Sequence, residues 1–294
     1  MNVAWNVYDN NNKYKRLTLV NTSGLKIVIH GITDVGQSRE HNEDAISWDT
    51  RLGLALLADG MGGHNAGEVA SILAVDSVKT SLADVVTPEI VASGVVDYKD
   101  AVVDAIGFAN REINEQSLEN PEYAGMGTTL VLVLFLNHKL IYAHVGDSRI
   151  YRLRGNELKR LTSDHSLVQE MIDNGYLTHE EAQESTSRNL ITRALGISEE
   201  VEVDIADDDT EIGDIYLLCS DGLTDLVTDQ EILNAITQSR DDLEMISSTL
   251  VDMANGKGGT DNISVVLAAV YKAYADDKDD EESTTLEIKM GEVD

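Results

Sequence analysis

The 294 residues of this chain specify an α+β layered sandwich built on antiparallel sheets, and three patterns lead to that reading. Apolar runs of strand length are mostly continuous rather than alternating, so both faces of their sheets must be covered. Two of these runs are joined by a connection too short for a crossover, which makes them an antiparallel hairpin. Stretches of helical spacing are grouped between the strands instead of alternating strictly with them, which argues against a parallel βαβ sheet.

Residues 1–25 are polar and Asn-rich, without a clear period, and are expected to form an extension ahead of a domain over 26–272. The first strand-like run is LGLALLA (52–58). From Ala66 to Ala83 the residues Ala70, Ala74, Val78 and Leu82 recur at helical intervals, and their small size predicts close packing on a sheet. Helical spacing returns over 97–118. The runs TTLVLVLFL (128–136) and LIYAHVG (140–146) flank Asn137-His138-Lys139, which is the predicted hairpin connection. Further helical spacing lies at 165–173 and 230–254, and strand-like runs at DIYLLCS (214–220) and ISVVLAAV (263–270). From Ala275 the run ADDKDDEESTTLEIKMGEVD holds nine acids and two bases, so residues 273–294 read as a solvated acidic tail. No internal repeat of the 20–50-residue kind is present.

A hydrophobic content of 42% is enough for a substantial core. The formal net charge of −31 makes nucleic acid and anionic membrane surfaces poor partners. The first 20 residues lack a signal-peptide-like apolar run, and no stretch reaches the 18 consecutive apolar residues of a membrane span; a cytoplasmic protein is expected. Cys219 is the one cysteine, so no internal disulfide can form, and its place inside IYLLCSDG predicts a buried packing residue.

The chemistry-bearing residues are aspartates just outside the apolar strands, recurring beside glycine. They occur in NED (42–44), ADGMGG (58–63), VGDSR (145–149), CSDG (219–222) and GGTDN (258–262). One Asp-Gly pair is an ordinary turn. Five such clusters at strand edges point to a shared cleft, where carboxylates a few ångströms apart repel too strongly to stay charged without cations. No His/Cys cluster suited to zinc is evident, and an all-oxygen site favours Mg²⁺ or Mn²⁺. Gly60 after Asp59 lets the backbone come close enough for its carbonyl to coordinate as well. A calcium loop at ADDDTEIGD (206–214) fails on spacing, since its glycine and terminal glutamate are misplaced.

Taken in order, GITDVGQSREHNEDA (31–45), LADGMGGHNAGEVAS (57–71), GTT (127–129), VGDSRIY (145–151), LTSDHS (161–166), NLITRALG (189–196), LLCSDGLTD (217–225) and GGTDNISVV (258–266) resemble the metal-dependent, type 2C (PPM) Ser/Thr protein phosphatases, particularly the bacterial kind. The resemblance implies a four-layer αββα sandwich with two central antiparallel sheets and a binuclear Mn²⁺ or Mg²⁺ centre at one end. By similarity Asp59 would bridge two ions, and Asp221 and Asp261 would hold one of them. The Gly60 carbonyl with Glu43 and Asp44 would serve the other, directly or through water, and Asp147 with Asp221 would supply a third, weaker site. Arg39 matches the family's phosphate-binding arginine.

Water shared by two cations about 3.5–4 Å apart loses a proton near neutral pH and is aligned for in-line attack on phosphorus, so no protein nucleophile is needed. The expected function is hydrolysis of phosphoserine and phosphothreonine in proteins that are targets of a Ser/Thr kinase, by a monomer. Met61 stands where many eukaryotic relatives have a histidine proposed to protonate the leaving alcohol, and nearby His64 is expected to be a helix-entry residue. The segment 165–189 corresponds to the flap of bacterial relatives. A pseudophosphatase that only binds, and a metal-dependent phosphodiesterase, are the alternative readings; none of the principal metal acids is missing for the first, and the charge opposes nucleic acid as a substrate of the second.

Overall fold

In the computed structural model, which describes residues 17–20, 24–63, 66–87, 90–91, 95–178, 181 and 190–273, the continuous apolar runs become strands whose alternate side chains enter two different cores. The elements run β1 (Leu17–Val20), β2 (Leu25–Asp34), β3 (Asp44–Asp49), β4 (Leu54–Met61), α1 (Ala66–Ala83), α2 (Tyr98–Glu119), β5 (Gly127–Thr128), β6 (Leu130–Leu136), β7 (Lys139–Val145), β8 (Arg149–Arg154) and β9 (Glu157–Arg160). They continue with α3 (Leu167–Asp173), β10 (Asp204–Asp209), β11 (Ile215–Cys219), α4 (Asp221–Thr224), α5 (Asp229–Gln238), α6 (Leu243–Gly256) and β12 (Ile263–Lys272).

Two antiparallel sheets result, one ordered β1-β2-β12-β11-β8-β9 and the other β10-β7-β6-β4-β3. In β4, Leu54, Leu56 and Ala58 face α1 and α2, whereas Ala55 and Leu57 face the opposite sheet. In β12, Val265, Leu267 and Ala269 face α5 and α6, and Val266, Ala268 and Val270 turn inward. This two-residue period, apolar on both sides, is the four-layer sandwich that the resemblance implies. Phe135 and Tyr216 meet edge-to-face across the inner core, ring centres 5.5 Å apart. Cys219 is buried among the α5–α6 core residues, as its surroundings predict.

The hairpin forms with Leu136 opposite Lys139, leaving Asn137 and His138 as its loop; Asn137 takes φ +56°, which asparagine tolerates better than most residues. The helical spacing read at 230–254 is two helices. Thr228 opens α5 with a capping box and Asp242 caps a new start for α6 by accepting the Met245 N–H, so the polar run between them breaks the period.

Several strands carry no apolar run and were not anticipated. The least legible is β10, sequence DIADDD, which pairs along β7 at a sheet edge. Its charge is met by cations distant in sequence: Lys99 on Asp207, Arg152 on Asp208, and Lys139 on Asp209 at 2.8 Å. Strand β1 lies within the first 25 residues yet pairs antiparallel with β2, so the sheet reaches into the expected extension. Residues 1–16, the acidic run from Ala275 and most of 179–189 fall outside the described residues. Among the described residues no helix is long and apolar enough to cross a membrane.

Candidate metal centre

The ends of both sheets that carry the Asp-Gly motifs gather at one end of the sandwich. Asp44 opens β3 directly opposite Asp59 near the end of β4. Asp147 follows β7 in the tight connection to β8, Asp221 opens α4 after β11, and Asp261 precedes β12. The backbone around Asp59 is held on both sides. Its carbonyl accepts the Thr129 N–H at 2.8 Å and the Thr128 hydroxyl at 2.9 Å, and its N–H donates to Thr129 Oγ1 at 3.0 Å.

The carboxyls of Asp44, Asp59, Asp147 and Asp221 are pushed upward from the ordinary aspartate range. Asp59 and Asp221 are raised well above it, first by burial and then by the charges of their neighbours: Asp44, Asp221, Asp147 and Asp261 act on Asp59, and Asp147, Asp225, Asp261 and Asp44 on Asp221. Burial raises Asp44 to about 6, although the hydroxyls of Ser264 and Ser220 pull the other way. Asp147 also reaches about 6, through burial and then the charge of Asp164.

Buried oxygens in this group lack any hydrogen-bond donor, namely Asp44 Oδ1, Asp147 Oδ1 and Glu43 Oε1. Bare buried oxygens aimed into a cluster of like charges are what a hard divalent cation satisfies. With no nitrogen or sulfur among the donors, the set fits Mg²⁺ or Mn²⁺.

Gly60 is held to glycine by the chain packed against it. A Cβ there would lie 2.1 Å from the Gly67 carbonyl oxygen, so only glycine lets α1 start this close to the strand. Glu43 turns its carboxylate to the start of α1, against the Gly67 amide, and its pKa is raised by burial despite the nearby Arg39. Its backbone ties the cleft together, donating to Asn262 Oδ1 at 2.8 Å and accepting the Gly60 N–H at 3.1 Å. Glu43 therefore stands beside the aspartates rather than among them. Arg39 pairs with Asp261, Nη2 to Oδ2 at 2.7 Å, and keeps nearly half its side chain exposed.

Met61 ends β4 opposite Gly127. His64 lies outside the described residues. A surface cleft of about 520 Å³ lined by Tyr98, Lys99, Leu136, Lys139 and Asp207 sits at the opposite end of β7 from Asp147, away from the acids.

Sequence reading found no histidine cluster, yet the fold brings one together. Ligand atoms of His144, His165 and Asp204 all lie within 4.8 Å of one another. The hydrogen bonds oppose a cation there. Gly146 N–H donates to His165 Nδ1 at 3.0 Å, so that nitrogen is already engaged. The Arg193 guanidinium sits 3.1 Å from Nε2 while bonding Asp204 Oδ1 at 2.8 Å, so a cationic side chain already stands between the ring and the carboxylate. The signal available beforehand was weak, since the three residues belong to separate segments.

Comparison with known proteins agrees with the fold and the acids. The sequence model described as "Protein phosphatase 2C" matches residues 35–254. Protein phosphatase PhpP of Streptococcus pneumoniae is 39% identical over 248 residues, covering 83% of this chain and 98% of that protein. The crystal structure of the Mycobacterium tuberculosis serine/threonine phosphatase PstP is 40% identical, with a TM-score of 0.74 over 83% of this chain and 98% of that one. A structure of the PstP catalytic domain in complex with two manganese ions is 38% identical, also with a TM-score of 0.74, and covers 84% of this chain and 99% of that one. A family match over most of the chain, close structural neighbours and buried oxygen donors at the family's motif positions lead to one conclusion: the chain belongs to the protein phosphatase 2C family.

Proposed function

We propose that this chain hydrolyses phosphoserine and phosphothreonine in phosphorylated proteins at a centre of two Mn²⁺ or Mg²⁺ ions, with a third, weaker ion beside them. The carrying observation is the convergence of aspartates from both sheets, among them the buried Asp44 and Asp147, each with an oxygen that no donor satisfies. Asp59 would serve both ions of the pair, Asp221 and Asp261 would hold one, and the Gly60 carbonyl with Glu43 and Asp44 would serve the other, directly or through water. Asp147 with Asp221 would serve the third ion. When bound, the ions lower the pKa of coordinated water and offset phosphate charge.

Arg39 grips two phosphate oxygens in fork geometry and orients the ester. Replacing Arg39 with Met removes about 1.5–3 kcal/mol of charged hydrogen bonding, so kcat/KM for p-nitrophenyl phosphate is expected to fall roughly 10- to 150-fold with Tm unchanged. An unaltered kcat/KM would remove Arg39 from substrate binding.

Substrates are taken to be targets of a Ser/Thr kinase, and the protein to be a cytoplasmic monomer whose net charge of −31 keeps it from nucleic acid and anionic membranes. The catalytic domain is assigned to 26–272, with β1 as an added edge strand and the acidic residues beyond as a tail. Assay of the purified protein with Mn²⁺ against a phosphothreonine peptide, p-nitrophenyl phosphate and bis-p-nitrophenyl phosphate tests this reading. Turnover of the first two is expected. Preference for the diester would make it a phosphodiesterase, and no turnover at all would make it a binding module.

A further inference from the structure

Asp147 has little hold on its own direction. It is buried, its Oδ1 has no hydrogen-bond partner, and it sits between Gly146 and Ser148 in the connection from β7 to β8. Its aim is inherited from the backbone on either side. On one side Thr129 Oγ1 bonds Ser148 Oγ at 2.8 Å. On the other side the Gly146 peptide is held at both polar ends by one residue: His165 Nδ1 accepts its N–H at 3.0 Å, and the His165 N–H donates to its carbonyl at 2.9 Å. Gly146 has φ +104°, a conformation other residues rarely adopt, and a Cβ there would lie 2.6 Å from Thr129 Cγ2.

The imidazole is fixed in turn. Its Nε2 faces Asp204 Oδ2 at 3.5 Å, and Asp204 is held by Arg193. One face of the ring stacks on His144, centres 4.5 Å apart and planes 19° from parallel, and His144 donates from Nε2 to the Ser163 carbonyl at 2.7 Å. The His165 carbonyl accepts the Thr192 N–H at 2.9 Å, and the next residue, Ser166, caps α3.

We propose that His165 is a positioning residue: as a fixed acceptor for the Gly146 amide it aims the Asp147 carboxylate at the third-ion position. The proposal rests on reading Asp147 as a ligand of the third ion. A side chain that orients a ligand in this way acts on metal affinity rather than on the tight pair.

The test is Mn²⁺ binding to the full chain, followed by electron paramagnetic resonance of free Mn²⁺. In His165→Leu the weak class of sites should lose about 10-fold or more in affinity while the tight class is unchanged. Asparagine ends its carbonyl where Nδ1 lies, and glutamine where Nε2 lies, so His165→Asn should keep the weak class and His165→Gln should lose it. That pair decides the question even where the leucine variant does not fold. Wild-type-like binding in His165→Leu, or equal behaviour of the Asn and Gln variants, overturns the proposal. An Asp147→Asn control that leaves the weak class intact overturns it by a different route, by removing Asp147 from the third site.

Discussion

Turnover of p-nitrophenyl phosphate is expected to fall at least about 10³-fold, or about 4 kcal/mol of barrier, when either Asp59 or Asp221 is replaced by Asn. Both side chains are half-buried where the two sheets meet, and both feel the charges of Asp44, Asp147 and Asp261. An amide keeps the shape of the carboxyl but offers a cation only a neutral oxygen. The loss should appear in kcat, because the ions supply the attacking group and the transition-state charge balance rather than general affinity for the ester. Stability should move the other way. Removing one charge from a crowded buried group relieves repulsion, so the metal-free Asp59→Asn protein is expected to melt no lower than the metal-free parent. Near-normal kcat in either variant would sink the metal assignment, and a lower melting temperature would attribute the loss to unfolding instead.

Stripped of divalent ions, the protein is expected to lose stability as pH rises, the opposite of ordinary acid denaturation. Asp44 and Asp147 titrate near 6 in the folded chain, and Asp59 and Asp221 well above the usual carboxylate value, with burial as the first cause in each. A carboxyl raised in the folded state keeps its proton where the unfolded chain has lost it. Its contribution is therefore complete below about pH 4 and disappears as pH climbs through the folded value. For Asp44 alone the difference from 3.8 to about 6 corresponds to about 3 kcal/mol. His144 and His165 work in the other direction, since burial lowers both below the ordinary histidine value and their contribution is lost as pH falls below about 6.5. The four acids outnumber the two histidines, so melting of the EDTA-treated protein should drop from about pH 4.5 to about 7, and millimolar Mn²⁺ should abolish the drop. A flat or rising profile without metal would mean that the acids do not interact as the geometry requires.

The centre was legible before the fold because its residues sit at places the sequence marks. Asp59, Asp147 and Asp221 each adjoin a glycine at the end of an apolar run, and Asp261 lies between Gly259 and the run that opens at Ile263, whereas the Gly67 carbonyl that excludes a Cβ at Gly60 is a contact of the fold. The layered architecture was legible for a related reason: a strand such as β12, apolar at every position, must have cover on both faces. Glu43 reads in NED as an acid that serves a metal, and its place against the Gly67 amide, with Oε1 lacking a donor, is set only in the fold. Strand β10 was hidden because its aspartates look like a solvated loop until Lys99, Lys139 and Arg152 arrive from other segments.

From the order of its residues alone, this chain declares which side chains can bind a hard cation, where its strands end, and which family it resembles. Sequence cannot declare who meets whom across long separations. Arg39 reaches Asp261 over 222 positions, and the His165 ring accepts its hydrogen bond from an amide 19 positions away. Those facts arise when two sheets pack face to face, since burial strips water from their ends and leaves each polar atom only the partners that packing supplies.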